Sequence, residues 1–202
     1  MPNLYPAFER QEVVVHTPRH ARSLAELDDD EIALVAEAWQ RRAHDEPTPY
    51  LHALVNEGRL AGASLAHSHS QLVWLPEPPP AVRAESGSLP LGENVVVERD
   101  GVVLCCPAAG RAPYELLIAP AEPEANAFGS PRLATALSLV AEGLRRVQRD
   151  VGPCPVNVWL HDGPHWHLEV VPRLTTFAGL ELGAGIWVNT LAPEEAAARL
   201  RG

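Results

Sequence analysis

Two short histidine pairs, His67-Ser68-His69 and His165-Trp166-His167, constrain the fold most, because each ends a similar succession of elements. In the first half, Glu12 to Val15 reads as a strand and Thr17 to His20 as a turn. Ser23-Leu24-Ala25-Glu26 fits a capping box. Ile32, Leu34, Val35, Ala38 and Trp39 recur at helical spacing, with the acidic run Asp28 to Glu31 at the helix start. Tyr50 to Val55 is a strand, Asn56-Glu57-Gly58 a turn, and a loop leads into a strand from His67 to Trp74. The second half has a hairpin, Asn94 to Glu98 with Val102 to Cys106, around Asp100-Gly101. There follow a strand (Glu115 to Ala119), a helix (Arg132 to Val147), a strand (Val156 to Leu160), a turn holding Gly163 and a strand from His165 to Val171. The repetition predicts a duplicated unit: a first half over 1–76, a proline-rich linker over 77–92 and a second half over 93–202. The expected fold is α+β, with antiparallel strands and one long helix in each half.

Composition excludes several kinds of function. The 202 residues are 46% apolar, but no apolar run reaches a membrane span and no leader pattern opens the chain. Three cysteines, Cys105, Cys106 and Cys154, suggest neither a disulfide framework nor a thiolate metal site, and a cytoplasmic setting is expected. The net charge of −10 argues against nucleic acid as a partner. All 16 basic residues are arginine, which excludes a lysine nucleophile and a Walker-type loop. Trp39, Trp74, Trp187 and the adjacent cysteines Cys105 and Cys106 read as packing residues.

In a strand, residues i and i+2 share a face, so His67, His69 and Gln71 are expected to project together, as are His165, His167 and Glu169. An imidazole held on a strand can attack an α-phosphorus to give a phosphoramidate, while neighbouring polar groups bind the phosphoryl oxygens. Gly62-Ala63-Ser64 supplies small residues and backbone N–H groups that let phosphates approach, whereas bulky Trp166 divides the second pair. The chemistry is therefore expected in the first half. The alternative for either pair is a set of surface or satisfied core histidines.

The run Asn56-Glu-Gly-Arg-Leu-Ala-Gly-Ala-Ser-Leu-Ala-His-Ser-His-Ser-Gln71 resembles the N-x-G-x-x-x-G-x-S-x-x-H-x-H-x-Q signature of the galactose-1-phosphate uridylyltransferase family, a branch of the histidine-triad superfamily. The likeness extends over essentially the whole chain, through Asn3-Leu-Tyr-Pro-Ala7, Glu12 to His20, His165 to Thr176, Gly183 to Asn189 and Pro193 to Ala197. It implies a HIT-like body of two halves. It also implies that His69 is the nucleophile, supported by His67 and Ser64, and that Gln71 bonds the transferred phosphoryl group. Asn56, Gly62, Ala63 and Ser64 would line the nucleotide phosphates, and Asn3 and Tyr5 would touch base and ribose. His20 and His67 match two of four ligands of one metal site. Glu85, His161, His165 and His167 match a structural site for zinc or iron. No organic cofactor is implied.

The family carries a cysteine pair and phosphate-gripping arginines ahead of its Asn-x-(Phe/Tyr)-Pro motif. Here Met1 stands almost directly before Asn3. The resemblance therefore predicts a short form whose first metal site keeps two ligands, unless His16 or a carboxylate completes it. Arg59, Arg173 or a partner subunit would take over the phosphates. Ala184-Gly185 stands where galactose-handling members carry Tyr-Glu, with Glu181 as a substitute carboxylate, so galactose specificity is not implied. The expected function is transfer of a nucleoside monophosphate from a nucleotide sugar to a sugar 1-phosphate through a His69 adduct, in a homodimer. Phosphorolysis or hydrolysis of a nucleotide sugar or dinucleoside polyphosphate is the alternative, as is a nucleotide-binding relative without turnover.

Overall fold

Alternation along the strands sorts the side chains onto two unlike faces of a sheet. In β2 (Tyr50–Glu57), Leu51, Ala53 and Val55 enter the core, while His52, Leu54 and Asn56 line a cavity on the opposite face. The same division runs through β3 (His69–Leu75), β7 (Val156–His161) and β8 (His167–Pro172). Leu72, Val156, Val158, Leu160, Leu168 and Val170 lie in the core. A computed structural model describes residues 1–46, 48–85 and 89–202.

With β1 (Gln11–Val15), β4 (Val95–Arg99), β5 (Val102–Cys105) and β6 (Leu116–Pro120), these strands make one antiparallel sheet of order β1-β3-β2-β7-β8-β6-β5-β4. The architecture is α+β. Residues 1–76 supply β1, β3 and β2, and residues 93–202 supply the rest. The two sets join along β2 and β7, where Leu54 pairs with Trp159 and Asn56 with Asn157. The β4–β5 hairpin turns through Asp100 and Gly101, both at positive φ, as a two-residue primed turn requires.

One face is covered by α1 (Asp29–Asp45) and α3 (Leu133–Val151), which pack on each other and on the sheet. In α1, Ile32, Val35, Ala36 and Trp39 are buried, whereas Leu34, expected on the apolar stripe, is 62% exposed. In α3, Gly143 lets the helix sit down on the sheet: a Cβ there would come 2.6 Å from Leu116 Cδ1. Among the described residues, three shorter helices, α2 (Pro80–Ala84), α4 (Gly179–Ala184) and α5 (Pro193–Arg201), complete the fold. No helix among the described residues is long and apolar enough to cross a membrane.

Local chemistry explains where the elements depart from the sequence reading. The capping box that starts α1 is Asp28 with Glu31, not Ser23 with Glu26. Ser23 caps a single 3-10 turn, Leu24–Glu26, because its hydroxyl and the Leu24 N–H are both drawn to the buried Glu57 carboxylate (2.7 and 2.6 Å). The strand β3 begins at His69 rather than His67, since the Ser68 N–H donates to Ala21 outside the ladder. Likewise β8 begins at His167 rather than His165, because the Trp166 N–H closes a turn onto Gly163. The proline-rich stretch contains α2, and its residues 86–88 lie outside the described residues.

Two tests follow from this packing. Trp39 is fully buried and its indole donates to Ser70 Oγ (2.8 Å), joining α1 to the strand that opens with His69. Trp39→Phe should cost about 1–3 kcal/mol in denaturant unfolding through lost volume and a lost hydrogen bond. Glu12 takes two bonds from Arg42 (2.8 Å each) and one from Arg10 (2.8 Å), fixing the end of α1 to β1. Arg42 first, then Arg10, outweigh the cost of burial and hold the carboxyl down at about 2, against 4.5 unpaired. Its folded value is depressed, so its contribution is present above pH 4.5 and is lost as pH falls towards 2. Glu12→Gln should lower the urea midpoint at pH 7, by about 1 kcal/mol in stability given its partial exposure. The difference between variant and wild type should shrink at pH 3.

Candidate active site

His69 is the first residue of β3, opposite Val15, and its ring is buried. Its Nδ1 lies 2.8 Å from the His67 carbonyl oxygen. A carbonyl only accepts, so Nδ1 carries the proton and Nε2 keeps the lone pair in the neutral ring. Nε2 is the nitrogen positioned to act as a nucleophile. His67 lies ahead of the strand, where alternation does not govern it. Its Nε2 donates to the Thr17 carbonyl (2.9 Å) and its ring stands 6.0 Å from that of His20. His16 is buried beside them, with Nδ1 2.8 Å from Ser68 Oγ and Nε2 unpartnered among the described residues. Burial, reinforced by the charges His69 and His67 would carry, pushes His16 down to about 3, so it stays neutral.

Two places along the chain, Gln71 follows on the same face. Its Oε1 accepts from the Gln11 amide, which leaves the Gln71 amide N–H groups free to donate to an oxyanion. Gln11 also accepts from the Ala7 N–H (2.8 Å), so one side chain ties the N-terminal segment to the phosphoryl-binding candidate. Within that segment Asn3 accepts from the Tyr5 N–H (3.0 Å), and the Tyr5 side chain is exposed.

The loop after β2 is shaped by Gly58 and Gly62, both at positive φ. Its expected role as a source of backbone donors is narrowed by the structure. The Gly62 and Ala63 N–H groups bond to Arg59 and Gly58 carbonyls (3.1 and 3.2 Å). Exposed Ser64 remains available on this loop, lining a cavity of 540 Å³ with Arg22 and Arg59. Asn56 is anchored by Asn157, whose amide donates to Asn56 Oδ1 and to the Ala61 carbonyl (2.8 Å each).

Beside Gln71 the open face of the sheet forms a cavity of 550 Å³. Leu54, Val73, Leu75 and Trp159 give it an apolar floor, and Ala7 and Phe8 form one wall. His52 lines it with a buried Nδ1 unpartnered among the described residues, and burial, then the charge His161 would carry, lowers this ring to about 4. Sequence reasoning passed over His52, Asn157 and Arg111. The signal for the first two was their alternation with Asn56 and Trp159. Nothing local marks Arg111, which the fold brings to the cavity from the loop before β6.

At the far end of β7 and the start of β8, ligating atoms of Glu85, His161, His167 and Glu169 lie within 4.8 Å of one another. His161 bonds Glu85 through Nδ1, and His167 Nε2 stands 3.5 Å from Glu169. The His167 Nδ1 donates to the His165 carbonyl (3.0 Å), leaving Nε2 as the ligating atom. Two imidazoles and two carboxylates form a donor set suited to zinc or iron. The structure brings Glu169 to this set and leaves the His165 side chain exposed in the preceding turn. Burial opposes charge on both partners. The His167 bond and the Arg111 charge nonetheless hold Glu169 at about 2, and Glu169 and Glu85 raise His167. The pair His20 and His67 gains no third ligand of this kind among the described residues.

The family model for the N-terminal domain of galactose-1-phosphate uridyl transferase matches residues 6–77. An ADP-glucose phosphorylase of Arabidopsis thaliana is 27% identical over 226 aligned positions, which take in 96% of this chain. The chain spans 64% of that relative's length. A galactose-1-phosphate uridylyltransferase of Thermotoga maritima is 25% identical over 233 positions, 94% of this chain and 73% of the relative. Among solved structures, an Arabidopsis ADP-glucose phosphorylase with bound ADP-glucose superposes with a TM-score of 0.88 at 26% identity. It covers all of this chain and 80% of its own. A uridylyltransferase superposes with a TM-score of 0.83 at 27% identity, with the same coverage. With the signature from Asn56 to Gln71 laid out on one loop and strand, residues 6–77 match the N-terminal domain of galactose-1-phosphate uridyl transferase, and the chain is similar to members of that family over nearly all of its length.

Proposed function

We propose that this chain is a nucleotidyltransferase that moves a nucleoside monophosphate from a nucleotide sugar to a sugar 1-phosphate through a covalent His69 intermediate. The carrying observation is the hydrogen bond from His69 Nδ1 to its own chain's His67 carbonyl, which fixes the ring and leaves Nε2 free. In the first half-reaction Nε2 attacks the α-phosphorus and the sugar phosphate departs. In the second an acceptor oxygen takes the phosphorus and Nε2 recovers its electron pair. The free Gln71 amide and Ser64 would bind the phosphoryl oxygens, and Asn56 would line the phosphate path. Asn3 and Tyr5 are assigned to the base and ribose, next to the cavity walled by Ala7 and Phe8.

A second reading replaces the sugar 1-phosphate by inorganic phosphate, making the chain a nucleotide-sugar phosphorylase. One feature favours it. Position 185, where galactose-handling members carry a glutamate, has φ +66°, a left-handed conformation that suits glycine and strains other residues. The relative named ADP-glucose phosphorylase points the same way. A homodimer belongs to either reading. Leu4, Leu182 and Ile186 are exposed apolar residues for such a contact.

For the cluster of Glu85, His161, His167 and Glu169 we propose a structural zinc or iron ion. Bound there, the ion would join the segment after α2 to β7 and β8, a stabilising rather than a reacting role.

Both proposals are directly testable. Intact-protein mass spectrometry after incubation with UDP-glucose, UDP-galactose or ADP-glucose should show a gain of one nucleoside monophosphate, absent in His69→Ala. Failure of every donor to label the wild type would remove the covalent mechanism. Elemental analysis should find about one zinc or iron per chain, matching the one four-ligand set among the described residues. That metal should be lost in His167→Ala, with a lowered melting temperature, while labelling of His69 persists. A metal-free wild type with unchanged melting after metal addition would remove the ion.

A further inference from the structure

Transfer between phosphates needs positive charge where the leaving and arriving groups sit, and the arginines around the site differ in what already neutralises them. Arg111 is bound to Glu115 (2.9 and 2.5 Å) and to Glu169, so two carboxylates answer its charge. Arg22 and Arg59 are exposed, and water solvates them without a ligand. Arg173 is different. It follows β8, is half-buried, and stacks over Phe177 at 4.9 Å. Its only side-chain hydrogen bond among the described residues is from Nη1 to Asn157 Oδ1 (3.0 Å), and its Nε is buried without a partner. A half-buried cation with a vacant donor and no carboxylate calls for an anion.

The sheet shows where that anion would lie. Arg173 holds Asn157, which holds Asn56. Asn56 stands two residues past Leu54 on β2, and Leu54 pairs with Gln71, itself two residues past His69. Counting along both strands sets Asn56 level with His69. The guanidinium therefore sits across the sheet from His69 on the open face, linked to it through one polar row.

Resting on the nucleotidyl transfer proposed above, we infer that Arg173 holds the phosphate that leaves the donor and the phosphate that arrives as acceptor. It thereby directs the His69 adduct to a phosphate-bearing acceptor rather than to water. In-line displacement requires this sharing. When the Nε2–phosphorus bond forms, the bond to the sugar-phosphate oxygen breaks on the opposite side and takes its electron pair with it. The acceptor then enters from that same side, its oxygen bonds to phosphorus, and the electron pair of the breaking bond returns to Nε2. Both groups are phosphates of nearly two negative charges, whereas water gains nothing from the cation.

The test loads wild type and Arg173→Gln with saturating nucleotide sugar, removes the donor by desalting, and follows loss of the adduct by intact mass. Discharge is compared in buffer alone and with inorganic phosphate or glucose 1-phosphate added. Discharge by phosphate should slow roughly tenfold to hundredfold in Arg173→Gln, the range for one charge-assisted contact. Discharge by water should stay within about twofold, because water makes no such contact. Arg173→Lys, which keeps the charge and loses the fork, should fall between the two and serves as the variant to read if the glutamine protein does not fold. Equal discharge by phosphate in all three proteins overturns the inference and leaves the covalent reading intact. Equal slowing with water and with phosphate also overturns it, as does loading of Arg173→Gln at the wild-type rate. A wild type that never labels overturns both.

Discussion

Everything at the site depends on the two-sidedness of one antiparallel sheet. Helices α1 and α3 cover one face and bury a continuous apolar core, so the polar side chains of β2, β3, β7 and β8 are left on the other. A histidine, a glutamine and two asparagines thereby come onto one surface although 101 residues separate Asn56 from Asn157. The strand alternation that fills the core also orients the polar side chains of the candidate site. Trp39 shows the connection directly, since it packs in the core and bonds Ser70, the neighbour of His69.

Rigidity of the His69 ring comes from short-range contacts stacked on that frame. The His67 carbonyl fixes the tautomer of His69, the Thr17 carbonyl holds His67, and Ser68 bonds His16. The turn after β1 and the start of β3 are therefore tied together by the histidines themselves. On the cavity side, Gln11 ties the N-terminal segment to Gln71. The ligand set at Glu85 is a separate station at the opposite end of β7, reached from the cavity through His52, His161 and Arg111.

Much of this was legible in the sequence. The strands around both histidine pairs, the long helix over Arg132 to Val147 and the Asp100-Gly101 hairpin are visible from periodicity and turn chemistry. What periodicity could not see is competition for single backbone groups. One N–H on Ser68 and one on Trp166 decide where β3 and β8 start, and that moves His67 and His165 out of the ladders. The capping of α1 passed from Ser23 to Asp28 because a carboxylate 34 residues away, Glu57, captured the serine hydroxyl.

The sequence alone determined which residue types stand at which spacing: the N-x-G…H-x-H-x-Q run, the alternation of the strands and the arginine-only basic set. Those are local properties, and the likeness to the uridylyltransferase family and the α+β class follow from them. The tertiary structure decided which residues meet. It replaced His165 by Glu169 in the ligand set, bonded the Gly62 and Ala63 amides within their own loop, and brought Asn157 and Arg173 to Asn56. It also neutralised Arg111 while leaving Arg173 without a carboxylate partner among the described residues. The physical reason is that pairing and burial depend on groups arriving from distant strands, and a charge is matched or left open only once the sheet has closed around it.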